Sequence, residues 1–253
     1  MNKRLIAERF ARARNTYTDE ARVQHQVAER MLGLLHTHAP AERFRHVVEF
    51  GCGTGSYSRL LHHSLTPEQL LLNDLCPEMQ ECLVELLAAD TVTFSPGDAE
   101  TAVWPVNTDL ITSCSTLQWF ADPARFFRRC HRFLADDGHL AFSTFGRENM
   151  REVKTLTGNG LDYLPIDALA TLLTPRYHLL HQSEEIVTLT FATPLDVLKH
   201  LRETGVTGTE KRVWTRGKLQ TFCHEYTERF ATPDGRVTLT YHPVYIIARK
   251  HEA

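Results

Sequence analysis

The sequence predicts a doubly wound α/β domain, in which helices cover both faces of a mostly parallel sheet. Short runs rich in Val, Leu, Ile and Phe alternate with amphipathic segments between residues 46 and 145. The first of these runs, His46–Phe50, leads into a glycine-rich turn at residues 51–55 that opens the next predicted helix. Such alternation is typical of parallel strands joined by crossover helices.

The individual elements are predicted from β-branched runs for strands and from apolar residues at helical spacing for helices. Ahead of the sheet we expect helices over 3–14 and 19–35, the second with Thr18 as its N-cap. A turn is expected over 136–138. In the alternating region the predicted strands are 46–50, 70–74, 92–95, 109–113 and 139–145, and the predicted helices are 56–63, 77–89 and 122–134.

The carboxyl-terminal part predicts a helix over 165–173, a strand over 185–191 and a last strand over 236–249 that bends at Pro243. Helical segments at about 194–202 and 216–230 fall between these two strands, which makes 193–235 an insertion. We therefore expect one domain over residues 1–253, with the amino-terminal helices (1–36) and the insertion covering the carboxyl edge of the sheet as a lid.

Composition disfavours several classes of function. The net charge of the 253 residues is −3, which argues against nucleic-acid binding through bulk charge. The cysteines form no C-x-x-C pair and the histidines no H-E-x-x-H pattern, so we expect no metal site. No apolar run is long enough for a signal peptide or a membrane span, and the cysteines lie mostly in apolar runs. The sequence therefore predicts a cytoplasmic protein that does not bind membranes.

The sharpest motif is the strand and turn VVEFGCGTG at residues 47–55. In an open α/β sheet such a turn lies at the carboxyl ends of the strands, where ligands bind. Its G-x-G-x-G spacing differs from the G-x-G-x-x-G of dinucleotide-binding turns, and Glu49 would repel a diphosphate. A carboxylate at this point suits a ligand that carries positive charge.

Two further acids follow the next two predicted strands. Asp74 lies 23 residues after Gly51, where doubly wound nucleotide sites place a carboxylate on the ribose hydroxyls. Asp98 lies in a Gly-Asp-Ala turn, where it could accept a hydrogen bond from an adenine amine. Taken singly, Asp74 could be a helix N-cap, Asp98 could close a turn, and the glycines could form an ordinary strand-to-helix turn. Together, three acids at successive strand ends favour a nucleoside site.

These residues resemble the motifs of the class I S-adenosylmethionine-dependent methyltransferases. VVEFGCGTG resembles their first motif, and Asp74, the Gly-Asp-Ala turn and residues 109–120 (DLITSCSTLQWF) resemble later ones. The resemblance implies a Rossmann-like sheet of seven strands with an antiparallel last strand. It also implies that S-adenosyl-L-methionine is the cofactor and S-adenosyl-L-homocysteine the product. The cofactor-binding residues that it implies are Glu49, Gly51, Cys52, Gly53, Gly55, Asp74, Leu75, Asp98, Ala99, Ser113 and Gln118.

A broader resemblance, over nearly the whole chain, is to the malonyl-acyl-carrier-protein O-methyltransferases of biotin synthesis. It rests on residues spaced from Phe10 through Tyr17 to Leu32 and on segments at 140–146, 200–208 and 239–249. It implies methyl transfer to the free carboxylate of a malonyl thioester on acyl carrier protein. An ionised carboxylate needs no general base, so we expect catalysis from positioning in a dry site.

Several residues are candidates for the catalytic roles. We expect Tyr17 to lie nearest the transferring methyl group, with packing on the cofactor as its alternative role. Arg147, just beyond the strand at 139–145, is the favoured partner for the acceptor carboxylate, and His200 or Arg202 is the alternative. Side chains expected to line the pocket are Tyr17, Gln118, Trp119 and Phe145.

An acidic carrier protein requires a basic docking surface. The better-placed basic stretch lies in the insertion and comprises Lys199, Arg202, Lys211, Arg212, Arg216 and Lys218. A second basic set shares one helix face that we interpret as solvated, and it comprises Arg125, Arg128, Arg129 and Arg132.

Alternative functions remain open from the sequence. Malonyl-coenzyme A could replace the carrier protein as substrate, or the acceptor could be a small free carboxylic acid or a quinone precursor. A cofactor-binding regulatory protein without turnover would carry the same motifs, because fold does not settle function. A dehydrogenase is disfavoured by Glu49 and by the spacing of the glycines.

Overall fold

The computed structural model of the protein describes residues 2–20, 22–39, 44–205 and 215–251, without the side chains of residues 13 and 15–20. The first half contains α1 (Lys3–Glu20), α2 (Arg22–His38), β1 (His46–Phe50), α3 (Ser56–Leu65), β2 (Gln69–Asp74), a 3-10 helix (Pro77–Leu83), β3 (Val92–Pro96), β4 (Thr108–Ser113), a 3-10 turn (Leu117–Trp119) and α4 (Pro123–Phe133). The second half contains β5 (Leu134–Phe145), α5 (Arg151–Thr157), α6 (Ile166–Leu173), β6 (Tyr177–Glu184), β7 (Val187–Phe191), α7 (Pro194–Glu203), α8 (Arg216–Phe230), β8 (Val237–Tyr241) and β9 (Pro243–Lys250).

The main sheet has seven strands in the order β3-β2-β1-β4-β5-β9-β6. Strands β1 to β5 run parallel, and β9 lies antiparallel between β5 and β6. This confirms the predicted doubly wound sheet with an antiparallel last strand. The strand order reverses between β1 and β4, and such a switch point opens a crevice at the carboxyl ends of the strands.

Successive side chains of each central strand enter two separate hydrophobic cores. Val47 of β1 packs in the core beneath α2 and α3, whereas Val48 packs in the core beneath α4 and α6. This alternation follows from the two-residue period of a strand, and it explains why parallel strands covered on both faces read as continuous apolar runs. No helix among the described residues is both long and apolar enough to span a membrane.

The carboxyl-terminal strands depart from the prediction. The strand expected at 185–191 becomes β7, which pairs with β8 in a separate two-stranded sheet. The seventh strand of the main sheet is β6, whose sequence YHLLHQSE has no clear apolar alternation because it is a partly exposed edge strand. The expected last strand is divided at His242, beside the predicted bend at Pro243, so that its halves join different sheets.

Three local predictions were also wrong. Thr18 is not an N-cap, because α1 continues to Glu20 with no Pro or Gly to end it earlier. The helix expected at 77–89 is a 3-10 helix that ends at Leu83. The turn expected at 136–138 is an irregularity within β5, where Asp137 adopts a φ of 62° and the register with β4 shifts.

An aromatic cluster anchors α4 beneath the carboxyl edge of the sheet. The ring of Phe126 lies 4.8 Å from Phe50, 4.6 Å from Phe120 and 5.8 Å from Trp104, measured between centroids. The helix begins at a cap in which Asp122 Oδ1 accepts a hydrogen bond from the Arg125 N–H at 2.8 Å. The end of β1 is thus fixed against α4.

Phe126→Ala should lower the free energy of unfolding by about 3–5 kcal/mol, because it empties the centre of this cluster. Urea denaturation followed by circular dichroism measures the change. Arg128→Ala, at an exposed position of the same helix, is the matched control and should stay within about 0.5 kcal/mol of the parent. Equal losses in the two variants would contradict the packing role of Phe126.

Candidate active site

A cleft with about 1090 Å³ of empty space, including its mouth, lies at the carboxyl ends of β1, β2 and β4. The helices α1 and α2 supply its other wall through side chains such as Ile6 and Ala28. Most of the residues expected to bind the cofactor line this cleft, namely Glu49, Gly51, Cys52, Gly53, Asp74, Leu75, Asp98 and Ala99.

Three of the expected cofactor residues lie outside the lining. Gly55 is the N-cap of α3 with a φ of 85°, and a Cβ there would approach Leu83 Cδ2 at 2.5 Å. Ser113 is fully buried at the end of β4. Gln118 Nε2 donates to the Ser115 carbonyl at 2.5 Å, and its Oε1 accepts from Thr144 Oγ1 at 3.1 Å. These three residues support the loops behind the cleft.

Asn73, at the end of β2, holds the ends of three strands together. Its main-chain carbonyl accepts hydrogen bonds from the N–H groups of Gly51 and Cys52 at 2.7 and 3.0 Å. Its side-chain Nδ2 donates to the carbonyls of Ser95 and Gly97 at 2.8 and 3.1 Å. Glu49, Asp74 and Asp98 therefore meet on one rim. No motif in the sequence marks Asn73, although it lies beside Asp74.

The carboxylate of Asp74 is held by main-chain donors from two loops. Its Oδ2 accepts from the Gly53 N–H at 2.9 Å, and its Oδ1 accepts from the Cys76 N–H at 2.8 Å. Burial raises the pKa of Asp74, and these two N–H groups oppose the rise. Each oxygen accepts one of these bonds and retains a further lone pair, and Asp74 lines the cleft, so the carboxylate could also accept from a pair of ligand hydroxyls.

The glycine turn is shaped by a close approach between two loops. A Cβ on Gly51 would lie 2.2 Å from Thr116 Oγ1, and this hydroxyl donates to the Gly51 carbonyl at 3.3 Å. Gly53 adopts a φ of 52° and has no atom within 4 Å of the position where a Cβ would stand. Gly51 is therefore required by the loop that follows β4, whereas Gly53 leaves bare main chain for a ligand.

Glu49 is the most strongly perturbed carboxyl group on the rim. Its side chain is 1% exposed, and its Oε2 has no hydrogen-bond partner among the described residues. Burial raises the pKa of Glu49 to about 8, and the nearby charge of Asp74 adds to the rise. A buried carboxylate with a free oxygen at the edge of a cleft is suited to a cationic ligand.

Helix α1 lies across the cleft and is joined to its rim by ion pairs of Lys3 and Arg14. Lys3 forms an ion pair with Asp98 at 2.5 Å and another with Glu100. Arg14 pairs with Glu81 at 2.9 Å. Between these pairs, the ring of Phe10 meets the edge of the Trp119 ring at 5.7 Å. Lys3, Phe10 and Arg14 all line the cleft. Their spacing of seven and four residues on one helical face is visible in the sequence and could have indicated this shared role.

The candidates for the catalytic roles are dispersed. Tyr17 belongs to α1, and its side chain lies outside the described part of the structure. Arg147 is exposed in the turn after β5 and does not line the cleft. His200 is 4% exposed, with its Nε2 2.8 Å from Tyr241 Oη and its ring 5.2 Å from Phe191. Neither Arg147 nor His200 is placed to orient a carboxylate in the cleft in this conformation, because one faces solvent and the other is enclosed by rings.

Other side chains expected near the pocket divide in the same way. Trp119 lines the cleft, whereas Phe145 is buried in the core beside Tyr241.

The described lysines and arginines of the insertion lie at the surface. Lys199 Nζ lies 3.9 Å from Glu203 Oε1, while Arg202, Arg216 and Lys218 are exposed. Lys211 and Arg212 lie outside the described residues. On α4, Arg129 Nη2 donates to the Ala102 carbonyl at 2.5 Å, and the remaining members of that set, Arg125, Arg128 and Arg132, are exposed.

The chain has relatives among known proteins. A family model described as a methyltransferase domain matches residues 48–142. The chain is 59% identical, over 274 positions that span 100% of both chains, to a malonyl-acyl-carrier-protein O-methyltransferase of Bacteroides helcogenes. It is 50% identical, over 99% of each chain, to the protein of the same name from Bacteroides thetaiotaomicron. The solved YcgJ protein of Bacillus subtilis has the same fold, with a TM-score of 0.64 and 17% identity over 89% of this chain and 100% of its own.

If Glu49 receives the ammonium group of S-adenosylhomocysteine, as expected from the sequence, its raised pKa should make binding dependent on pH. Below about pH 8 the carboxyl group of the free protein is mostly protonated. A bound ammonium group favours the carboxylate, so binding should release a proton. Affinity should accordingly rise by up to about tenfold per pH unit between about pH 6 and pH 7, where the ligand's own α-amino group remains protonated.

Calorimetric titration in buffers of different ionisation enthalpy measures this proton release directly. Glu49→Gln should abolish it, whereas Glu148→Gln, at an exposed position outside the cleft, should leave it unchanged. Equal proton release from the parent protein and the Glu49→Gln variant would show that Glu49 is not the linked group.

Proposed function

The chain belongs to the family of malonyl-acyl-carrier-protein O-methyltransferases, and from this premise we propose how it acts. It transfers a methyl group from S-adenosylmethionine to the free carboxylate of a malonyl thioester on acyl carrier protein. The product is the methyl ester that starts pimeloyl-chain synthesis for biotin. The observation that carries the proposal is 59% identity, over the full length of both chains, to a protein named for that activity. A cleft rimmed by Glu49, Asp74 and Asp98 accompanies it.

The residues of the cleft fit this cofactor. The free oxygen of Glu49 suits its positively charged amino acid part, and Asp74 has capacity for two ribose hydroxyls. Leu75, Ala99 and Phe120 offer apolar contacts for a purine beside Asp98. When bound, S-adenosylmethionine supplies a methyl group on a positively charged sulfur atom.

The reaction needs no proton transfer. A carboxylate oxygen of the malonyl group forms a bond to the methyl carbon while the bond from that carbon to sulfur breaks, and the electron pair stays on sulfur. Two opposite charges disappear, so the step is favoured where water is excluded. Ile6, Phe10 and Trp119 are the side chains that we assign to this exclusion. The protein thus contributes positioning and a dry wall.

The amino-terminal helices (1–36) and the insertion (193–235) act as a lid in this proposal. The supporting observations are the three ion pairs and the ring contact that join α1 to the rim of the cleft. Lys3 Nζ donates to Asp98 Oδ2, and in this proposal α1 shifts so that the adenine amine replaces Lys3 at that acceptor. Position 17 follows Phe10 by seven residues and Arg14 by three in α1, which is the spacing of one helix face. This supports Tyr17 as the residue nearest the methyl group.

Docking of the carrier protein is assigned to the exposed basic residues of α7 and α8. Arg202, Arg216 and Lys218 are available there for an acidic partner. The reaction in this proposal takes place in the cytoplasm. Malonyl-coenzyme A carries the same reacting group without the protein surface, so a preference for the carrier protein would reflect this docking.

Purified protein incubated with S-adenosylmethionine and malonyl-acyl carrier protein should add one methyl group to the malonyl arm, detected by intact-protein mass spectrometry. Acetyl-acyl carrier protein, which lacks the free carboxylate, is the matched substrate control and should stay unmodified. A gain on both carriers, or none on the malonyl form while S-adenosylhomocysteine binds, would refute the proposed acceptor and favour a small acid or a regulatory role.

A further inference from the structure

Gln24 is a polar residue on the buried face of α2. Its side chain is 8% exposed and lines the cleft, together with Ala28 one turn later on the same helix. The neighbouring inward positions, Val23, Val27 and Met31, are fully apolar and belong to the hydrophobic core. An amide in this row therefore has a specific reason to be there.

The carbonyl oxygen of Gln24 has no hydrogen-bond partner among the described residues. Burying such an oxygen without a donor destabilises a protein by about 1–3 kcal/mol. Leu or Met at position 24 would give a more stable free protein, so the amide is explained if a ligand supplies the donor. Because the side chain lines the cleft, that donor belongs to whatever the cleft binds.

Among the donors of the proposed cofactor, the ammonium group is the one left for this oxygen. An ionised malonyl carboxylate has no donor to offer. In the proposed function the ribose hydroxyls face Asp74 and the adenine amine faces Asp98, at the ends of β2 and β3. The α-ammonium group has three N–H donors, and Glu49 Oε2 can accept only some of them.

We propose that the side-chain carbonyl of Gln24 accepts a hydrogen bond from the α-ammonium group of the cofactor's methionine part. Gln24 then acts with Glu49 as a two-oxygen receptor for the ammonium, one oxygen from α2 and one from β1. This inference rests on the proposed cofactor. It makes Gln24 a specificity residue, which distinguishes S-adenosylhomocysteine from adenosine thioethers that lack the amino group.

The test measures binding of two ligands by calorimetry. One is S-adenosylhomocysteine, and the other is its analogue in which hydrogen replaces the α-amino group. Gln24→Met keeps the length of the side chain and removes the amide. Gln69→Met makes the same change at the exposed start of β2 and is the matched control. Thermal unfolding of each variant establishes that it is folded.

Gln24→Met should weaken S-adenosylhomocysteine by about tenfold or more, as expected for loss of a hydrogen bond to a charged group. The deaminated analogue should bind the variant and the parent equally, and Gln69→Met should bind both ligands like the parent. Equal loss for both ligands, or loss for neither, would overturn the assignment of Gln24 to the ammonium group.

Gln24→Glu keeps an acceptor oxygen in a side chain of nearly the same shape, and it provides a second readout if the Met variant does not fold. It should retain the parent's preference for the aminated ligand, because that preference needs only an acceptor. Loss of the preference in a folded Gln24→Glu variant would show that an acceptor oxygen at this position does not recognise the amino group, which overturns the proposal. If the parent protein binds neither ligand, the proposed function fails rather than this inference alone.

Discussion

The hydrogen bonds of Asn73 are the constraint on which the site depends. One residue at the end of β2 accepts from the turn after β1 through its carbonyl and donates to the end of β3 through its side chain. Parallel strands only bring their ends to a common edge, whereas these bonds fix the three loops against each other. Glu49, Asp74 and Asp98 consequently share one rim, and the bare main chain of Gly53 lies among them. The binding chemistry of the cleft follows from this geometry.

Buried acceptor oxygens without donors set the character of the cleft. Glu49, Asn73 and Gln24 each present one such oxygen among the described residues. In the free protein each of them opposes folding, and burial additionally favours the protonated form of Glu49. A ligand with several N–H and O–H donors and a positive charge relieves all of these penalties at once. The unpaired oxygens lower the stability of the free protein, and pairing them with a ligand's donors increases the affinity for that class of ligand.

Local signals in the sequence were enough to predict the first five strands and the acids at their ends. The run HVVEF and its glycines form a strand and turn from short-range preferences alone, and Asp74 and Asp98 follow strands of the same kind. The edge strand Tyr177–Glu184 was missed because its exposure removes the apolar pattern. Lys3 reaches Asp98 across 95 positions, a contact set by the packing of α1 and not by any motif. The position of His200 in the predicted insertion suggested a role at the pocket, whereas tertiary packing buries it beside Tyr241.

A crystal structure of the protein with S-adenosylhomocysteine would show directly how the cleft holds its ligand. We expect the ligand in the cleft, with its ammonium group about 3 Å from Glu49 Oε2 and its ribose hydroxyls on Asp74. We also expect Lys3 to have moved away from Asp98, where the adenine amine binds. A ligand in the opposite orientation, with adenine against Glu49, or a ligand outside this cleft, would refute the assigned roles of Glu49, Asp74 and Asp98.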